Sequence, residues 1–259
     1  MAQEPLILAV ETSSRAGSVA IAKGAKMMAE TAFSAPLRHS AEIFPAIGAL
    51  LERFRLSSNQ IEHIYISGGP GSFTGLRIAT TFAKTMHLAN AVKIVTLSTL
   101  DVIAANVANG TDGLNRTGNL NPDKIEDWES PERIAAILDA KRGQFFIAVY
   151  ERNTGDEQQP AGERIWKKIM TDSVMSASQF LEQFACKEKP IWLLGDGLVY
   201  YKDRFQADGI YFLGQEYWSP KAANVHLLGR QKALKGQFSE PMTLIPSYMR
   251  KPNVTIKTR

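Results

Sequence analysis

Two carboxylates stand at matching places in the chain, each opening a polar turn between two apolar runs. Glu11 follows the run LILAV and precedes SVAIA, while Asp139 follows IAAIL and precedes QFFIAVY. In a two-lobed nucleotide phosphotransferase, acids at two such turns would hold Mg²⁺ through water beside the phosphates. The hydroxyls of Thr12 and Ser13 would donate hydrogen bonds to a phosphate. The first turn is therefore a candidate nucleotide or anion site.

The second turn differs in the residues that follow its acid. Lys141 and Arg142 stand where small or hydroxyl residues would be expected, and their bulk would crowd a phosphate. A later Gly-Asp-Gly at 195–197 is compatible with a close pass of an adenine and equally with a plain strand-to-helix turn. The second half thus argues against phosphate chemistry.

A glycine-rich segment at 68–77, GGPGSFTGLR, joins an apolar run to a stretch of small and apolar residues. Glycine lets another backbone or an anion approach closely, and free N–H groups at the start of a following helix favour a negative group. The segment lacks the ending of a Walker A loop and the spacing of a dinucleotide fingerprint. Anion proximity and a tight connection without a ligand both stay open. The candidate residues here are Gly69, Gly71, Ser72, Thr74, Gly75 and Arg77.

Histidine and cysteine usage predicts neither a metal site nor a nucleophile. No two of the four histidines are three or four residues apart, so no helix presents a ligand pair. His39 beside Ser40 favours a structural role at a helix start, and Cys186 lacks the partners of a catalytic thiol. One cysteine cannot form an intrachain disulfide, which fits a reducing compartment. We expect no catalytic residue, no metal and a cytoplasmic location.

The composition is that of a soluble globular protein. The 259 residues are 44% hydrophobic and 22% charged, with a formal net charge of +4. The first residues show neither the basic region of a signal peptide nor the apolar length of a membrane span, so no membrane association is expected. Four basic residues near the C-terminus either contact RNA or are simply solvated. They are Arg250, Lys251, Lys257 and Arg259.

Apolar periodicity predicts an α/β fold of two related lobes. The first half indicates strands at 6–10, 18–22, 27–33, 61–66 and 92–97, with helices at 41–54, 78–88 and 100–107. The second half indicates strands at 134–138, 144–150 and 191–194, with helices at 176–184, 198–205 and 219–235. We assign residues 1–107 to an N-terminal lobe, 108–132 to a surface excursion, and 133–259 to a C-terminal lobe that includes the last helix and tail.

Two of these helices carry more apolar surface than contact with one sheet requires. A surface helix normally shows one apolar stripe, whereas the helices at 41–54 and 78–88 are apolar around most of their circumference. The second contact is either another helix layer of the same domain or a partner protein. The central residues of the two stripes are Phe44, Ile47, Leu51, Ile78, Phe82 and Met86.

Taken together, these residues resemble the bacterial TsaB (YeaZ) family of the actin-like, sugar-kinase and Hsp70 (ASKHA) superfamily. The matching stretches are LAVETS at 8–13, HSAE at 39–42, GGPGSFTGLR at 68–77, LDAKRGQFF at 138–146 and PSYMR at 246–250. Only about residues 108–132 and the last few residues fall outside the resemblance. It implies two lobes, each with a mixed sheet and flanking helices.

The resemblance also implies a function. The family takes part in forming N6-threonylcarbamoyladenosine next to the anticodon of tRNAs that read ANN codons. Its members act there as non-catalytic scaffolds and activators of the transferase TsaD, and the ATPase TsaE completes the set. TsaD carries a His-x-x-x-His metal motif, whereas His39 is followed four positions later by Ile43. This departure places the chain with the non-catalytic partner.

The partner surfaces follow from the same resemblance. In the family, the two apolar helices pack against the equivalent pair of TsaD as a four-helix bundle, and homodimers use similar surfaces when the protein is alone. We therefore expect the six stripe residues in or next to that interface, with Ile47 and Phe82 exposed. No cofactor is intrinsic, while ATP or ADP at the interface with TsaD is compatible with the resemblance. tRNA is contacted through the complex.

Two other classes of function stay as alternatives. A small-molecule kinase or ATPase of the same superfamily would need a Mg²⁺-binding acid in each lobe and an open cleft. A glycoprotease-like peptidase would need a Ser/His/Asp or zinc constellation, and none is visible in the sequence.

Overall fold

A computed structural model describes residues 4–34, 39–107, 131–153 and 166–249. Most of the predicted excursion at 108–132 and the basic tail from 250 onward lie outside these ranges. Within them, the chain forms two five-stranded mixed sheets with helices packed on them.

The first sheet and its helices come from the first 107 residues. Its strands are β1 (Leu6–Glu11), β2 (Ser18–Lys23), β3 (Lys26–Ala32), β4 (His63–Gly69) and β5 (Lys93–Ser98). The helices are α1 (His39–Arg53), α2 (Phe73–Asn90) and α3 (Thr99–Ala104), with 3₁₀ turns at Ser58–Gln60 and Ala105–Val107.

The second sheet follows in the later part of the chain. Its strands are β6 (Arg133–Asp139), β7 (Gln144–Arg152), β8 (Trp166–Ser176), β9 (Ile191–Leu194) and β10 (Ile210–Phe212). The helices are α4 (Ala177–Phe184), α5 (Leu198–Tyr201) and α6 (Ala222–Leu234), with 3₁₀ turns at Lys202–Phe205 and Gln215–Tyr217.

The two sheets repeat one topology. The strand order is β3-β2-β1-β4-β5 in the first sheet and β8-β7-β6-β9-β10 in the second. In each, the central strand pairs antiparallel with the strand after it and parallel with the fourth strand. Glu11 and Asp139 end the two central strands, β1 and β6. The prediction of two related lobes with acid-led turns is therefore confirmed.

The sequence of β1 explains its central position. All six residues of LILAVE are buried, because the strand is covered on both faces and so needs a continuous apolar run rather than alternation. Leu8 and Val10 belong to the core under α1 and α2, whereas Ile7 and Ala9 belong to the core under α6.

The packing of α6 corrects the predicted domain assignment. We placed the last helix in the C-terminal lobe, but α6 packs on β1, β2, β4 and β5 of the first sheet. Ala222, Val225 and Leu228 are buried there with Tyr65 and Val95. Leu234, at the end of α6, is 71% exposed. The first lobe is thus completed by a helix that lies more than a hundred residues later in sequence.

Several element boundaries also differ from the prediction. Helix α1 begins at His39, two residues before the predicted start. Helix α2 begins earlier than expected, at Phe73, because Ser72 caps it and accepts a hydrogen bond from Gly75 N. Helix α4 begins with a capping box that Ser176 and Gln179 form.

Two strands were not predicted. The eleven residues of β8 have little apolar alternation, yet they pair antiparallel with β7 along its length. Strand β10 has only three residues and lies at the opposite edge of the same sheet. In the described ranges, no helix has the length and apolar character needed to span a membrane.

We expect a fragment of residues 1–107 to lack a cooperative unfolding transition, because without α6 the face of the first sheet around Tyr65 and Val95 is open to water. Circular dichroism during heating measures this. In a matched control, residues 219–249 are fused after residue 107 through a Gly/Ser linker, and cooperative unfolding should return. A cooperative transition in the unfused fragment would show that α6 is dispensable to this lobe.

Candidate functional site

The turn after β1 is organised by the buried carboxylate of Glu11. One carboxylate oxygen accepts hydrogen bonds from Ser13 N at 2.6 Å and Ser13 Oγ at 2.5 Å, and the other accepts one from Ser67 Oγ. Burial raises the pKa of Glu11, and the hydrogen bonds from Ser13 and Ser67 oppose that rise. Glu11 is fully buried and does not line the cleft described below. Its carboxylate anchors the turn, and its place near a nucleotide or anion stays a prediction.

The glycine loop between β4 and α2 packs directly on this turn. Ser72 N donates to Ser13 O at 2.6 Å, and Thr12 Oγ1 donates to Gly75 O at 2.8 Å. A Cβ on Gly71 would collide with Ser13 O, and a Cβ on Gly75 would collide with Thr12 O. The absence of side chains at these two positions therefore serves a close approach of two backbone segments.

The predicted anion-proximal residues separate into two groups. Ser13, Gly71 and Ser72 line a cleft between the two lobes. The remaining residues of the set do not line it: Glu11, Thr12, Gly69, Thr74, Gly75 and Arg77. Of the N–H groups at the start of α2, those of Ser72 and Gly75 already have protein acceptors. The tight-connection interpretation of the glycine loop thus accounts for much of its composition.

The cleft has a volume of about 600 Å³ and is open to ligands of small-molecule size. Its first-lobe wall contains the turn at 13–15 and the loop at 71–73, and its second-lobe wall contains the turn at 138–142. The chain segment at 247–249 also lines it. Sequence reasoning assigned that segment only to the end of the fold, because its place in the cleft depends on long-range packing.

The acid of the second-lobe turn, Asp139, is bonded within its own turn. Asp139 Oδ1 accepts from Lys141 N at 2.7 Å, and Asp139 Oδ2 pairs with Lys141 Nζ at 2.7 Å. Lys141 and Arg142 have left-handed φ values of 65° and 57°, and both line the cleft. The predicted crowding of this turn is therefore present in the structure.

Asp196 forms a contact between the lobes that the sequence did not reveal. Its Oδ2 accepts a long hydrogen bond from Arg15 N at 3.4 Å, and the Arg15 guanidinium lies 5.4 Å from the centre of the Tyr200 ring. Burial raises the pKa of Asp196 to about 6, the Arg15 N–H opposes this, and repulsion by Asp139 adds to it. No sequence pattern could have paired residues this far apart.

The histidine next to the cleft is structural. His39 Nε2 lies 2.8 Å from Ser14 O, and burial lowers the pKa of the ring. In the part of the chain that the structure describes, no three His, Cys, Asp or Glu side chains are grouped as metal ligands would be.

The outer surface of α1 and α2 is the second candidate site, and we call it the helix-pair face. Phe44 is 63% exposed, and its ring meets the buried Phe82 ring at 5.7 Å with an interplanar angle of 76°. Leu51, Ile78 and Met86 are partly buried against the core. The other exposed residues of α1 on this side are Ala41, Pro45, Gly48 and Ala49, together with the charged Glu52 one turn after Gly48.

Two predicted interface residues are not exposed. Ile47 and Phe82 retain only 7% and 8% of their surface and belong to the core beneath the helices. The stripe was wide because it contains both core and outer residues, and helical spacing did not separate them. Phe44 is the large apolar residue that the face presents.

The duplicated sheets and the cleft between them define a two-lobed α/β protein in which each lobe has a mixed sheet with flanking helices. YeaZ from Pseudomonas aeruginosa has the same fold, with a TM-score of 0.71 and 20% identity, covering 95% of this chain and 100% of that one. The family model described as "TsaD: tRNA N6-adenosine threonylcarbamoyltransferase" matches residues 34–258.

Relatives with assigned names show to which group of this family the chain belongs. The "tRNA threonylcarbamoyladenosine biosynthesis protein TsaB" of Bacillus subtilis is 25% identical over 248 residues, which cover 94% of this chain and 93% of that protein. The protein of the same name from Escherichia coli K12 is 24% identical over 246 residues, covering 94% of each chain. The chain belongs to the TsaD-type family, and within it to the TsaB (YeaZ) group.

The close approach of Gly75 to Thr12 predicts a large effect of one methyl group. Gly75→Ala should destabilise the protein by about 3 kcal/mol, because the new Cβ collides with backbone that cannot move independently. Gly48→Ala is the matched control, since its Cβ meets open space, and it should stabilise by about 0.5–1 kcal/mol. Urea unfolding measures both. Equal effects of the two substitutions would contradict the role given to Gly75.

The raised pKa of Asp196 predicts a pH-dependent cost of its charge. The folded protein holds the proton up to about pH 6, whereas the unfolded chain releases it near its ordinary value of 3.8. The carboxylate therefore destabilises the fold increasingly from about pH 4 to 6 and constantly above that range. Asp196→Asn should gain roughly 1–3 kcal/mol at pH 8 and almost nothing at pH 4. A gain that does not change between these pH values, measured by urea unfolding, would rule out this assignment.

Proposed function

We propose that this protein is a non-catalytic scaffold and activator of a TsaD transferase in the formation of N6-threonylcarbamoyladenosine on tRNA. Its relatives carry the name of this biosynthesis, and the tRNAs concerned are those that read ANN codons, with adenosine modified next to the anticodon. The protein acts in the cytoplasm, where it meets tRNA through the complex.

The observation that carries this proposal is the helix-pair face. It presents a large aromatic side chain, Phe44, beside the small exposed residues Ala41, Gly48 and Ala49 of α1. Gly48 is exposed, and apart from the adjacent backbone of its own helix no heavy atom of the described residues lies within 4 Å of the place its Cβ would take. A second helix can therefore approach the α1 backbone closely, with Phe44 as a buried anchor of the kind that dominates interface energies.

The geometry of the cleft supports an absence of independent catalysis. Glu11 is buried under Ser13 and Ser67, and Asp139 is paired with Lys141. Of the two acids, Glu11 does not line the cleft, and Asp139, which lines it, is already paired with a lysine. A kinase or ATPase of the same superfamily would need both, so this alternative is less well supported than the scaffold.

The proposal includes the remaining partners. TsaD binds the helix-pair face as a heterodimer or heterotetramer, and a homodimer uses the same face when TsaD is absent. The ATPase TsaE joins the complex, and ATP or ADP binds at the interface with TsaD rather than as an intrinsic cofactor of this chain.

We expect Phe44→Asp to weaken binding of TsaD from the same organism by about 30-fold or more, because a buried carboxylate replaces an aromatic anchor. Gly48→Gln should also block binding, since its side chain occupies the space that a docked helix needs. Isothermal titration calorimetry measures both, and tRNA modification in a reaction reconstituted with TsaD and TsaE should fall in parallel.

The matched control is Leu234→Asp, which places the same charge at a leucine that is 71% exposed on α6. Helix α6 covers the opposite face of the first sheet, so this variant should bind normally. Unchanged TsaD binding by both Phe44→Asp and Gly48→Gln would overturn the proposed interface. Substantial Mg²⁺-dependent ATP turnover by the isolated chain would favour the kinase instead.

A further inference from the structure

The segment at 240–249, which we call the C-terminal strap, runs alongside α2. Just before it, Ser239 N donates to Ile94 O of β5 at 2.8 Å. Lys84 Nζ then donates to Met242 O at 3.2 Å and Leu244 O at 3.3 Å, and Ser247 N donates to Gly68 O at 2.7 Å. The strap is thus fixed along the helix from its C-terminal half to the glycine loop.

The far end of the strap is held by an aromatic and cationic cluster. Tyr248 Oη accepts a hydrogen bond from Arg77 Nε at 3.1 Å, and the Tyr248 and Phe73 rings lie 5.2 Å apart. The Arg77 guanidinium lies 3.8 Å from the centre of the Phe73 ring. Both residues of α2 in this cluster belong to its first two turns, so the strap is fastened at each half of the helix.

Between these fastenings, the strap exposes large apolar side chains. Met242 is 63% exposed and Ile245 is 76% exposed, while Leu244 between them packs on the core under α1 and α2. Leu88, one helical turn beyond Lys84, is 71% exposed. Two charged groups adjoin this patch: Lys84 is bonded to two strap carbonyls, and the carboxylate of exposed Glu240 accepts a hydrogen bond from Met242 N at 3.4 Å. An ordered apolar patch of this kind, on a fixed segment, is typical of an interaction surface.

We propose that the C-terminal strap is the third element of the surface that docks TsaD, with Met242 and Ile245 contacting that partner. This inference rests on the proposed function. Continuity identifies the occupant, because α2 is flanked by α1 with Phe44 on one side and by the strap on the other. A partner that covers the outer surface of α2 reaches both flanks.

The test compares substitutions on the two flanks of α2 by titration calorimetry with TsaD. Met242→Asp and Ile245→Asp should each weaken binding about tenfold, and the double variant more strongly. Leu234→Asp is the control of matched exposure on α6. Because both strap side chains are exposed, the thermal unfolding midpoint of each variant should stay within a few degrees of the unmodified protein.

The outcomes distinguish this inference from the proposed function. If the double variant binds TsaD within twofold of the unmodified chain while Phe44→Asp does not bind, the strap inference is wrong and the proposed function stands. If Phe44→Asp also binds normally, the helix-pair face itself is wrong. If light scattering shows that the double variant loses only a self-dimer and keeps its affinity for TsaD, the strap contacts a second copy and the inference is overturned.

A second measurement does not depend on loss of affinity. An environment-sensitive fluorophore is attached at Ile245→Cys in a Cys186→Ser background, which removes the exposed native thiol. Its emission should shift to shorter wavelength when TsaD is added, as the site is covered, whereas the same label at Leu234→Cys should not respond. Equal responses at the two positions would contradict the inference.

Discussion

The position of α2 depends on how closely two backbone segments approach one another. The turn at 12–13 and the glycine loop exchange two hydrogen bonds, and neither Gly71 nor Gly75 has room for a Cβ at that contact. The buried Glu11 carboxylate fixes the turn by accepting hydrogen bonds from Ser13 and Ser67. Since β1 and β4 are neighbours in the sheet, this contact joins the first helix turn of α2 rigidly to the sheet. The helix-pair face, the first-lobe wall of the cleft and the strap all depend on that placement.

The strands and helices that could be predicted are those determined by the pattern of residues within a short stretch of sequence. The apolar run LILAV predicts a strand where β1 lies, and the helix predicted at 176–184 is α4. The repeated acid-led turn was enough to predict two related lobes. In each case the residues that decide the structure are within a few positions of one another, so no knowledge of distant contacts was needed.

The predictions that were wrong or missing concern elements whose position depends on contacts between residues far apart in the sequence. The apolar residues of α6 would suit either sheet, and only the three-dimensional arrangement places the helix on the first. Strand β8 is held by pairing with β7 and by Lys168, which bonds Asp101 at 2.6 Å and Asp172 at 2.5 Å, so it needs little apolar alternation. The helix stripes indicated two-sided burial correctly but could not tell Phe44 from Ile47, because both positions satisfy the same spacing.

The charges of the cleft also depend on hydrogen bonds and ion pairs that the acidic side chains make within the protein. Glu11 is satisfied by Ser13 and Ser67, and Asp139 by Lys141. Among the described residues, the acid that remains between the lobes is Asp196, held weakly by Arg15 N. Its raised pKa means that the ionised cleft stores unfavourable energy at neutral pH. A protein selected only for monomer stability would gain by removing that charge.

Two residues of α1 also lower the stability of that helix by itself. Gly48 lies within the helix, where glycine is less favourable than alanine by roughly 0.5–1 kcal/mol, and Pro45 removes a backbone donor from the helix interior. Space for a Cβ at Gly48 is open among the described residues, so packing within the chain does not require the glycine. Both residues lie on the side where Phe44 is exposed. Small residues beside one large aromatic ring weaken an isolated helix but suit a second helix in close contact. This cost to α1 is consistent with the proposed docking of a partner helix on the helix-pair face.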